Sequence, residues 1–184
     1  MELEAAERQQ LAAVYELLGH LWGREADRSL LQTLAEPTMK TAWEALGGYS
    51  PTEIDEALIE ELAVDYCQLL VGPKNHVAPI QSVWEDQTLQ SQAVSSMKKY
   101  FELLPSFEPS STISDHFSVQ LQFTAALLAN VDESNAVEME IVSEFFTDHL
   151  KWSDQFLLRA QANATTEFYQ ALAKLTHHFL HSNS

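Results

Sequence analysis

Apolar residues recur at three- and four-residue steps through most of the chain. From Leu3 to about Trp22 they fall on one face as Leu11, Val14, Tyr15, Leu18, Leu21 and Trp22, which predicts an amphipathic helix. Asp27 stands where it can cap a short helix reaching about Leu34, and Pro37 opens another that stops near Gly47-Gly48. Ser50-Pro51-Thr52-Glu53 has the composition of a capping box with Pro in the first turn. The helix expected from it carries Ile54, Leu58, Leu62, Tyr66 and Leu69 to a stop at Gly72-Pro73, where Gly can close the helix in the left-handed region and Pro cannot donate the next hydrogen bond. Residues 73–83 read as a loop, and a helix follows from about Trp84 to Leu104. Ser114 is placed to cap a helix carrying Phe117, Leu121, Ala125 and Leu128. Three more helical segments are expected near 134–149, 151–162 and 165–181.

No stretch alternates with the period of a strand, so the class is all-α, with about eight to ten helices. Pro105-Ser106-Phe107-Glu108-Pro109-Ser110-Ser111-Thr112 has no helical period and is dense in Pro and Ser. It divides the chain into an N-terminal lobe (1–104), a hinge (105–113) and a C-terminal lobe (114–184). A hinge of this kind also allows a homodimer formed by domain swapping.

Composition narrows the function. A chain of 184 residues is long enough to bury roughly two-thirds of the surface it exposes unfolded. Its 5 Gly and 6 Pro fit a helical protein better than a strand-and-turn one. The single Cys67 excludes an internal disulfide and reads as a small buried apolar residue. No run approaches the roughly 18–20 apolar residues that span a bilayer, and the acidic start Met1-Glu2-Leu3-Glu4 lacks the basic and apolar regions of a secretory signal. A cytoplasmic protein without membrane insertion is expected. The formal net charge of −17 argues against nucleic acid and anionic membranes as partners, because both bind through Lys and Arg. Between Lys99 and Lys151 there is no Lys or Arg, while Glu102, Glu108, Asp115, Asp132, Glu133, Glu138, Glu140, Glu144 and Asp148 are all acids. That run is either a solvated surface that aids solubility or a field that steers a basic peptide inward.

Three segments carry more chemistry than folding requires: Tyr66-Cys67-Gln68-Leu69-Leu70-Val71-Gly72-Pro73, then Pro79-Ile80-Gln81-Ser82-Val83-Trp84, then Asp115-His116. Tyr66 and Trp84 have polar handles suited to a groove wall, whereas Leu69 and Leu70 also fit a core. Gly72 and Pro73 shape the loop. Pro79, Ile80 and Val83 can form an apolar floor, and Ser82 can cap the helix that follows. Asp115 in a first helical turn either complements the helix dipole or accepts a guanidinium, and His116 can bond a peptide backbone. Adjacent residues on a helix point about 100° apart, so the pair does not form a base and its orienter.

This set of motifs resembles the TorD/DmsD family in order and spacing, over both halves of the chain. The resemblance implies a cytoplasmic chaperone that binds the twin-arginine leader, and the apoprotein, of a molybdopterin oxidoreductase before export. It carries leader binding onto Tyr66, Leu69, Leu70, Gly72, Pro73, Pro79, Ile80, Ser82, Trp84, Asp115 and His116. Two departures stand out: Ile80-Gln81 replaces the aromatic-acid or aromatic-glycine pair common in the family's loop, and Thr112-Ile113 replaces Glu-Pro.

No phosphate loop, dinucleotide fingerprint or nucleophile elbow is present, so neither an enzyme nor a cofactor is expected. His177 and His181 share a helix face, but the sequence offers them no third ligand, so no metal is expected either. The competing reading is a general acidic helical adaptor that takes a basic or amphipathic peptide in a groove.

Overall fold

In a computed structural model that describes residues 5–73, 75–89, 91–131 and 135–183, the chain folds as two compact units, each built from two stretches. The acidic Met1-Glu2-Leu3-Glu4 start and Asp132 and Glu133 of the acidic run lie outside the described residues. Ten α-helices and one π-turn make up the described architecture. No strand is present among the described residues, so the class is all-α, as the apolar periodicity predicts.

The first unit comprises residues 1–23 and 79–153. Helix α1 (Ala5–Gly23) buries the predicted face through Tyr15, Leu18, Leu21 and Trp22. It lies along α7 (Phe117–Asn130), which is buried on every side from Phe117 to Ala125. Gly19 permits that approach, since a Cβ there would stand 2.6 Å from Gln122 Cγ and 3.1 Å from the Ser118 carbonyl. Around α7 sit α5 (Gln81–Glu85), α6 (Gln92–Leu103) and α8 (Ala136–His149). Met97, Val119, Phe123 and Phe145 form a core there, with Leu104 and Phe107 packed on it. The stretch 105–113 thus falls inside this unit, and Phe107 meets Phe123 edge to face at 5.0 Å.

The second unit comprises residues 24–78 and 154–184. It holds α2 (Arg28–Ala35), α3 (Pro37–Ala45), α4 (Glu56–Tyr66), the π-turn Cys67–Val71, most of α9 (Ser153–Asn163), and α10 (Glu167–Ser182). Asp27 caps α2 as predicted, accepting from Leu30 N at 2.8 Å. Trp43, Phe168, Tyr169 and Leu172 are fully enclosed. Asp65, also enclosed, accepts from the amides of Thr165 and Thr166 and from Thr166 Oγ1.

Four local expectations are corrected. The helix expected from the Ser50-Pro51 box starts at Glu56 instead, because Asp55 supplies the cap to Leu58 N at 2.8 Å and Arg28 holds the Ile54 carbonyl outside the helix. The stop at Gly72 is not a left-handed glycine (its φ is −58°); a π-type bond from Gly72 N to the Cys67 carbonyl ends the helix. The extra residue in that turn rotates the face, so Leu69 and Leu70 turn inward and Cys67 is exposed rather than buried. The single helix expected over 84–104 is two, with Ser91 capping the second through Ala93 N.

Replacing Asp65 by Ala removes a buried acceptor from three donors. It is expected to lower unfolding stability by about 3 kcal/mol, read as a shifted urea midpoint with an unchanged slope.

Candidate functional site

The second and third motif segments meet in the first unit. Gln81 N donates to the Asp115 carbonyl at 3.1 Å, and Phe117 N donates to the Pro79 carbonyl at 2.8 Å, so Ile80 and His116 form an isolated antiparallel bridge. Asp115 Oδ2 accepts from Ser82 N at 2.9 Å, and both residues are buried. This corrects the expected local capping. Asp115 lies before α7 rather than in its first turn, and its carboxylate receives a first-turn amide of α5. Neither Ser114 nor Ser82 acts as the expected cap: His116 caps α7, and Ser82 lies inside α5 with its hydroxyl buried and given no hydrogen-bond partner. A carboxylate at a helix N-terminus is favoured by the orphan amides there, and here the helix it serves is 33 positions away in sequence.

His116 Nδ1 accepts from Ser118 N at 3.2 Å and faces Ser118 Oγ at 2.7 Å. An amide can only donate, so Nδ1 carries the lone pair and the ring proton sits on Nε2. Burial pulls its pKa down to about 4, against the smaller opposing pull of Asp115.

Next to this tie lies a buried polar network that sequence reasoning missed. Gln81 Nε2 donates to the Asp148 carbonyl at 2.7 Å and to Glu85 Oε2 at 3.0 Å, which fixes its Oε1 as the acceptor. That oxygen receives Gln120 Nε2 at 2.6 Å and faces His149 Nδ1 at 2.9 Å. Trp152 Nε1 donates to Gln120 Oε1, and Ser96 Oγ meets His149 Nε2. Gln81, Gln120 and His149 are all buried, so each hydrogen bond is strengthened by its low-dielectric setting. The one available signal was Gln120, a polar residue amid the apolar run that makes α7 the central helix. Burial lowers the His149 pKa to about 4, partly opposed by Asp148 and Asp115.

Trp84 is half-buried, its ring 6.4 Å from that of Trp152, while Pro79 is buried and Ile80 half-buried. The acids Glu102, Glu140, Glu144 and Asp148 of the same unit are exposed. A separate hollow of about 610 Å³ in the same unit, walled in part by Ala12, Glu16, Leu104, Phe107 and Ala126, contains none of the expected site residues.

The first motif segment lies in the second unit. Leu69 and Leu70 are buried, Gly72 is half-buried and Pro73 exposed. Val77 N donates to the Leu69 carbonyl at 2.6 Å. Leu69, Gly72, Pro73 and His76 line an open hollow of about 810 Å³ together with Gln68 and Arg159. Tyr66 is half-buried beside Tyr169, with ring centroids 6.0 Å apart, and burial pushes its pKa up to about 12. The expected site residues therefore form two groups, one in each unit. Elsewhere in the second unit, Asp154 lies against His177 and His181, a meeting that the sequence does not reveal. Among the described residues no helix is long and apolar enough to cross a membrane.

The chain is similar to proteins named as chaperones. A TorD chaperone of Shewanella pealeana is 28% identical over 200 aligned positions, covering 94% of this chain and 87% of that one. The YcdY chaperone of Escherichia coli is 26% identical, with 87% and 86% covered. A solved structure described as a redox enzyme maturation protein of Archaeoglobus fulgidus shares the fold, with a TM-score of 0.56 and 21% identity over 95% of this chain and 93% of that one. Residues 32–158 match the family of the nitrate reductase delta subunit. The chain belongs to that family, the one that includes the TorD chaperones.

His116 and His149 stay neutral in the fold down to about pH 4, whereas in an open chain they take up protons near 6.5. Between those values the unfolded chain binds protons that the folded one excludes. Stability is therefore fully present above pH 6.5 and falls toward pH 4, by up to about 1.4 kcal/mol per pH unit for each histidine. Denaturant titrations across this window are expected to show the decline, and His149→Gln is expected to make it about half as steep, leaving the share of His116.

Proposed function

We propose that this chain is a chaperone in the maturation of a molybdopterin oxidoreductase, and that it holds the enzyme's twin-arginine leader until the cofactor is in place. The observation that carries the reading is the hydrogen-bonded joining of segments 79–84 and 115–116, the two stretches in the first unit to which the family resemblance assigns leader binding. Nothing in ordinary helix formation requires a loop and a distant helix start to be tied together by a buried carboxylate. The relatives' names support a chaperone acting by binding rather than by catalysis.

Two features suit the chemistry of such a leader, an arginine pair followed by a short apolar stretch. Guanidinium groups match carboxylates bidentately, and the exposed Glu85 and Asp148 supply them beside the tie. Ile80 and Trp84 offer half-buried apolar surface for the stretch that follows. Asp115, being buried, acts in this reading as a positioning residue that holds residues 79–84 in shape. The acidic field raises the association rate, and the apolar contact sets what persists at high salt. The second reading, a general acidic adaptor, draws on the same exposed acids but needs neither the tie nor a preference for arginine.

Calorimetric titration with a synthetic twin-arginine leader is expected to give a Kd of about 1 μM or tighter at low salt, an affinity ordinary for a small peptide interface. A copy with both Arg replaced by Lys is expected to bind at least tenfold more weakly. Equal binding of both peptides would leave the adaptor reading standing instead. Asp115→Asn is expected to weaken leader binding several-fold with helicity retained by circular dichroism; unchanged affinity would remove Asp115 from the site.

A further inference from the structure

At the end of the second unit, three ligand-type side chains converge where the binding reading gives them no role. His177 and His181 stand one turn apart on α10, and Asp154 on the first turn of α9 lies against both. Its Oδ1 is 2.7 Å from His177 Nε2 and 3.3 Å from His181 Nε2, and the three ligand atoms all lie within 4.8 Å of one another. The imidazole rings are 4.3 Å apart.

A backbone hydrogen bond orients one of the rings. His181 Nδ1 lies 3.0 Å from the His177 carbonyl, which can only accept, so Nδ1 carries a proton. Its Nε2, on the other side of the ring, faces Asp154 Oδ1 at 3.3 Å. A backbone carbonyl on the far ring nitrogen is the usual way a ligating histidine is oriented.

The geometry points to a divalent transition-metal site of the zinc class, with Asp154, His177 and His181 as its protein ligands. Two imidazoles and one carboxylate are a zinc donor set, and bonds of about 2.0–2.1 Å place tetrahedral ligand atoms about 3.4 Å apart. The Asp154–His181 separation already fits. The Asp154–His177 pair must open by roughly 0.7 Å on that estimate, which solvent-facing side chains permit: 28% of His177, 40% of Asp154 and 59% of His181 are exposed. The same exposure leaves the remaining coordination position to water or to a ligand from outside. His178, on another face of α10, takes no part.

Equilibrium dialysis of the chelator-stripped protein against zinc chloride, with metal counted by elemental analysis, tests this directly. The expected result is one zinc per chain at micromolar free zinc. Asp154→Asn and His181→Ala should each weaken binding at least tenfold, with helicity unchanged, while His178→Ala binds as the parent does. Absence of stoichiometric zinc at 100-fold higher concentration would overturn the site. So would zinc binding that neither Asp154→Asn nor His181→Ala weakens. Leader binding is read separately, so failure of either proposal leaves the other intact.

Discussion

The first unit depends on one buried carboxylate. Asp115 sits at the mouth of α7, yet its side chain serves α5, and the backbone on either side of it is paired with the backbone from Pro79 to Gln81. A charge taken out of water costs several kcal/mol unless hydrogen bonds replace its hydration. The Ser82 amide at a helix N-terminus is one such replacement. The cost of leaving Asp115 without that partner is what fixes residues 79–84 in one place, although α5 is only 5 residues long and has little stability of its own.

The Gln81–Gln120–His149 network extends the same constraint. All three residues are buried, and their donors and acceptors are matched across α5, α7 and α8. A polar network of this kind specifies one arrangement of helices where an apolar core tolerates several. Gln81 occupies one of the positions at which this chain departs from the family's loop pattern. A neutral amide there can donate to the Asp148 carbonyl and accept from Gln120 at once, which a carboxylate could not. Gln81 thereby joins α5 to both α7 and α8.

Much of this was legible in the sequence, for identifiable reasons. The face of α1, the Asp27 cap and the Pro37 start depend on neighbours within one turn, and each formed as periodicity and capping chemistry predict. Signals failed where a distant residue decided the outcome. Arg28 claimed the Ile54 carbonyl and moved the start of α4 to Glu56. A π-turn rotated Cys67 out to solvent, since no local composition marks one extra residue per turn. The three segments that carry the family resemblance were visible as motifs. The role of Asp115 as a tie, the partners of Gln81 and the meeting of Asp154 with two histidines 23 and 27 positions on required the fold.

The central claim is that the joined segments 79–84 and 115–116 form the face that receives a peptide. Amide hydrogen exchange, with and without a twin-arginine leader, tests it residue by residue. The account predicts added protection at residues 80–86 and 115–118, with lesser change along the exposed face of α8. Protection confined to the hollow formed by Ala12, Glu16, Leu104 and Phe107, with residues 80–86 unchanged, would contradict it.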